Sequence, residues 1–78
     1  MPVFVIDQWV DARNVSRDVA LRTTADAVRG LATGQVAEVL VSQVEAAVEI
    51  ATWLGTKPLE ILESAIVRDE YQLIIRHR

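Results

Sequence analysis

Arg13, Arg17 and Arg22 share one short segment with Asp11, Asn14, Ser16 and Asp18. A guanidinium is a fixed cation with a fork of N–H donors; it is no nucleophile, but it holds carboxylate, sulfate or phosphate well. If this segment opens a helix, its free amides together with Arg13, Asn14, Ser16, Arg17 and Arg22 make a candidate contact site for an anion or a partner's carboxylate. Asp11 and Asp18 offer the competing outcome, in which the arginines are spent in surface ion pairs worth little energetically. Ser16 would need an adjacent base and an oxyanion site to act as a nucleophile, and its expected role is helix capping. His77, between Arg76 and Arg78, is expected to be an exposed tail residue, since no motif supplies further metal ligands. Glu38, Glu45, Glu49, Glu60 and Glu63 are scattered over polar positions and read as solvated. With no cysteine, the chain can form no disulfide and no thiolate zinc site, and can carry no persulfide. No metal and no cofactor are expected.

The elements that must position these groups follow from periodicity. Val3 to Ile6, continued by Trp9 and Val10 towards Asp11, reads as a first strand. Ala20, Leu21, Ala27, Val28 and Leu31 line one face of a helix that is expected to start near Arg17 and end before Gly34, with Ser16 as N-cap and Asp18 in the first turn. Val36 to Val41 reads as an inner strand closed by Ser42. Ser42 and Glu45 have capping-box spacing ahead of Val44, Ala47, Val48, Ile50, Ala51 and Leu54, a second helix stopped by Gly55 and Pro58. Leu59 to Ile66 and Tyr71 to Ile75 read as two further strands joined through Val67 to Glu70; lacking glycine, that junction is expected to exceed two residues and to expose Arg68, Asp69 and Glu70. The order β-α-β-α-β-β predicts an α+β fold: a two-layer α/β sandwich with a four-stranded mixed sheet and both helices on one face. Trp9 and Trp53 are aromatic residues of the kind that anchor interfaces, but in so small a core both are expected to serve packing.

The frame from Val10, Asp11, Ala12 and Arg13 through Ser16, Arg17, Asp18 and Ala20 resembles the opening of the TusA family of small sulfur carriers, in which a strand ends in a Leu-Asp-Ala-Arg-Gly-type segment and a Cys-Pro-x-Pro motif starts the first helix. Arg17 falls on the cysteine, Asp18 and Ala20 on the prolines. Leu31 to Val39 are similar to the family's Leu-x-Pro-Gly-Glu-x-Leu-Glu-Val turn, with Thr33 in place of the proline. Ile50 and Trp53 match an Ile-Pro-x-Trp-like stretch, and Tyr71, Leu73, Ile75 and Arg76 match the tyrosine-led last strand. The resemblance implies a fold like the C-terminal domain of translation initiation factor three. It also implies an ancestry in persulfide transfer that Arg17 cannot perform.

Seventy-eight residues, 51% of them hydrophobic, suffice for one domain spanning residues 1–78. A formal charge of −3 disfavours nucleic acid as partner. No apolar run reaches the roughly 18 residues of a membrane span, and the first residues do not read as a secretory signal, so a cytoplasmic protein is expected. The function expected is a non-catalytic TusA-like binding or regulatory module whose partners are proteins of sulfur transfer. One alternative is a sulfurtransferase-type carrier using a thiol supplied by a partner; another is a self-assembling domain, for instance a homodimer.

Overall fold

The computed structural model describes residues 4–55 and 57–78. The chain runs β1 (Gln8–Ala12), α1 (Arg17–Arg29), β2 (Val36–Val41), α2 (Val44–Leu54), β3 (Leu59–Val67) and β4 (Glu70–His77). The four strands form one mixed sheet in the order β1-β2-β4-β3, with β1 parallel to β2 and the other neighbours antiparallel. Both helices pack on one sheet face and touch each other, giving the expected two-layer α+β sandwich.

Strand alternation sends Val10 and Ala12 of β1, and Ala37, Val39 and Val41 of β2, towards the helices. Ala37 and Val39 pair with Ile75 and Leu73 of β4, so three strands present one apolar surface. Ala20 and Val28 of α1 and Ala46, Ile50 and Leu54 of α2 close over it in a single core. Ile50 and Ile75 are fully buried, each contributing about 1.5–3 kcal/mol through removal of its side chain from water.

The same alternation puts Trp9 on the opposite face, beside Glu38, where it is 66% exposed. Trp9 is therefore no core residue; Trp53, half-buried against the core, is. The first strand is shorter than expected. Val3 lies outside the described residues, and Phe4 to Ile6 are not in the sheet; pairing starts where Asp7 exchanges two bonds with Val36, its N–H donating to the Val36 carbonyl (2.8 Å) and its Oδ2 accepting from the Val36 N–H (2.9 Å).

Helix α1 ends at Arg29 with Gly30 as C-cap, well short of Gly34. Leu31 still reaches the core, but from a loop. Gly34 serves that loop instead: its φ of 87° is open to glycine at little cost, and its N–H donates to the His77 carbonyl at 2.8 Å. The expected capping box at Ser42 does not form. Gln43, one residue later, is the N-cap of α2 and makes no side-chain cap bond, while the Ser42 hydroxyl accepts the Asn14 N–H at 2.9 Å.

Strands β3 and β4 extend to a turn of only Arg68 and Asp69, with Val67 opposite Glu70. Both turn residues have positive φ, 52° and 66°, as a type I′ turn requires, so the left-handed geometry expected to need glycine is met without it. The twist of the two strands and the unbroken pairing from Glu63–Ile74 to Val67–Glu70 favour it. A bulge between Ile61 and Glu63 leaves Leu62 unpaired and shifts the phase of β3, so that Leu59, Ile61, Ser64 and Ile66 share the helix side. His77 is a half-buried strand residue opposite Leu59, not a tail.

Candidate functional site

The segment singled out in the sequence lies at the carboxyl ends of β1 and β2, where both helices also begin. Open α/β sheets place binding crevices at this end because helix starts and connecting loops meet there. After Ala12 the chain turns through Asn14, at φ 60°, and its backbone is pinned to the end of β2 by the bond to Ser42. Ser16 is extended (φ −63°, ψ 159°) and its hydroxyl accepts the Val19 N–H at 3.3 Å, as an N-cap does. Arg17 is consequently the first residue of α1.

The arginines do not gather around one point. Arg13 lies back along β1: its Nε and Nη2 donate to the two Asp11 carboxylate oxygens at 2.8 and 2.9 Å, and its Nη1 donates to Glu70 of β4 at 3.2 Å. These hydrogen bonds, with one from the Arg13 amide, hold the Asp11 carboxyl down at about 2 and push the Arg13 guanidinium upward. Arg17 instead sets its Nε 3.0 Å from Glu49 Oε2 on α2, an ion pair without hydrogen-bond alignment. Arg22 is exposed farther along α1.

Between the two helix starts lies an open depression lined by Ser16, Arg17, Asp18, Gln43 and Glu45. Asp18 and Glu45 stand in the first turns of α1 and α2, where their charge already complements the helix dipoles. An incoming anion would meet two carboxylates and an arginine that is already paired. A second depression is lined by Arg17, Val44, Glu45, Val48 and Glu49. Val15, Val19, Val44 and Val48 are exposed nearby, Val48 to 60%. Val44 and Val48 follow the apolar spacing of α2, but Ala46, Ile50 and Leu54 take the sheet-facing positions.

Among the described residues, no nucleophile and base meet at this site. The serine hydroxyl is committed to capping, the single histidine sits at the end of β4, and no thiol exists. Among the described residues no group of His, Asp and Glu could hold a metal ion, and no helix is long and apolar enough to cross a membrane. The sequence reading missed the carboxylates Glu49 and Glu70 that claim Arg17 and Arg13, because both partners are far away along the chain. No protein-family model and no curated protein matches the chain.

Proposed function

We propose that the chain is a non-catalytic TusA-like binding module, which engages proteins of sulfur transfer through the face around Arg17 and carries no sulfur itself. The observation that carries this reading is Arg17 at the start of α1, where the resembled family has its thiol, paired to Glu49 and bordered by the exposed Val15, Val19, Val44 and Val48. An arginine among apolar side chains is the composition of an interface anchor, and nothing at this face supports covalent chemistry. The protein works in the cytoplasm and without a cofactor on this reading.

Affinity capture from native lysate tests it. The wild-type chain should recover desulfurase, rhodanese-like or other sulfur-relay proteins, and Arg17→Glu should change that set; recovery of none, or of the same set by both, overturns the proposal. Intact-mass measurement after incubation with a persulfide donor should show no added sulfur. A stable adduct would favour the alternative of a carrier that works with a bound thiol.

A second reading, self-assembly, draws on β3, a nine-residue edge strand exposing Ile66 to 70% together with Val67. The bulge at Leu62 and the charges of Glu60 and Glu63 oppose continuous edge pairing. Light scattering over a concentration series should accordingly report a monomer; a concentration-dependent dimer would favour this second reading.

A further inference from the structure

The opposite end of α1, about 18 Å from Arg17 at 1.5 Å per residue, carries a cavity of about 250 Å³ that the face around Arg17 does not use. Its apolar surface comes from Val28 at the end of α1, Pro58, and Leu59 at the start of β3. Trp53, in the last turn of α2, adds an aromatic wall. Around these stand Arg29, Lys57 and His77, and no acidic residue lines the cavity among the described residues. In a chain of net charge −3, this is a local concentration of donors and positive charge.

Two of these groups are already held in place. The Lys57 ammonium sits 5.3 Å from the centroid of the Trp53 ring, a cation–π distance that fixes it beside the apolar surface. His77 is anchored by its strand position opposite Leu59 and by the contact of Nδ1 with the Arg78 backbone oxygen at 2.8 Å. Arg29 also pairs with Asp26 at 2.9 Å through Nη1, but both side chains are largely exposed, so the pair is weak and a ligand carboxylate can compete for the guanidinium.

We infer that this cavity binds a small organic anion: a flat apolar body of one or two fused rings, bearing a carboxylate. The apolar surface and Trp53 take the rings, Lys57 and Arg29 receive the carboxylate, and His77 closes the wall beside Leu59. Size sets the limit, since the volume lies just below the roughly 300–1,000 Å³ of pockets for drug-sized ligands.

Naphthalene-2-carboxylate and its uncharged carboxamide, titrated separately into the full chain, test the inference by amide chemical shifts. The indole N–H shift of Trp53, assigned with the help of a Trp9→Phe variant, provides a second readout. The carboxylate should give saturable shifts at Val28, Leu59 and His77 and at the Trp53 indole, with the carboxamide about tenfold weaker or more, as expected for loss of a charge-assisted contact. Lys57→Gln should weaken the carboxylate by a similar factor, with changes in the unliganded spectrum confined to the surroundings of Trp53 and residue 57. Equal affinity for both compounds, shifts centred on the Arg17 face, or no saturation at millimolar concentration would overturn the assignment.

Discussion

Arg17 Nε lies 3.0 Å from Glu49 Oε2, joining the first residue of α1 to the middle of α2 beside the depressions at the helix starts. Both side chains remain about half exposed, at 56% and 40%, so solvent screens the attraction. A double-mutant cycle with Arg17→Gln and Glu49→Gln, read by urea unfolding, should give a coupling of about 0.5 kcal/mol. A coupling above about 2 kcal/mol would make the pair a structural tie and would complicate the reading of Arg17 variants in partner capture.

Asp11 is gripped by the Arg13 side chain, which lowers its carboxyl from 3.8 to about 2. Because the folded value lies below the unfolded one, the contribution to stability is present above the unfolded value and is lost as pH falls through the folded one. An NMR titration of the Asp11 carboxyl should show a midpoint near 2, and Arg13→Gln should return it towards 3.8. A wild-type midpoint already near 3.8 would mean that the pair does not hold in solution.

Thr24 is fully buried in α1, and its hydroxyl oxygen has no hydrogen-bond partner. Valine has the same shape and β-branching without the desolvated hydroxyl. Thr24→Val should raise stability by about 1 kcal/mol, seen as a rise in Tm of about 4–8 °C for a domain of this size. A loss of stability would indicate that the hydroxyl is satisfied by a buried water.

The turn at Arg68 and Asp69 holds two side-chain-bearing residues at positive φ. Asn-Gly is the preferred pair for this geometry, so the double substitution Arg68→Asn and Asp69→Gly should stabilise the hairpin by about 1 kcal/mol. Thermal unfolding measures it, and no gain would show that the strand ladder removes the strain by other means.

Signals that act locally were legible in the sequence. Ser16 caps α1 because its partner amide is three residues away, and the boundaries of β2 fall at Val36 and Val41 because an apolar, β-branched run ends at Ser42. Expectations failed where a distant segment competed. Ser42 had the spacing to cap α2, yet its hydroxyl is taken by Asn14 from the preceding crossover. Leu31 prolonged the helical pattern but reaches the core from a loop, and the phase of β3 is broken by an unpaired Leu62. At the candidate site, the position of Arg17 was readable, whereas the carboxylates that hold Arg17 and Arg13 were not. The cavity beside Trp53 drew on the ends of α1, α2, β3 and β4, which no sequence window contains together.

The strand order β1-β2-β4-β3 also constrains how the molecule is built in time. The β3–β4 hairpin closes over two residues and costs little loop entropy, so it can form within about 1–10 μs. Strand β2, by contrast, must wait for β4, which lies between it and β3 and is the last of the described elements in chain order. A nascent chain that has emerged only as far as α2 has Val39 and Val41 on a strand with one open edge. The helix starts that flank Arg17 can settle on a complete sheet only after the segment up to His77 has left the ribosome.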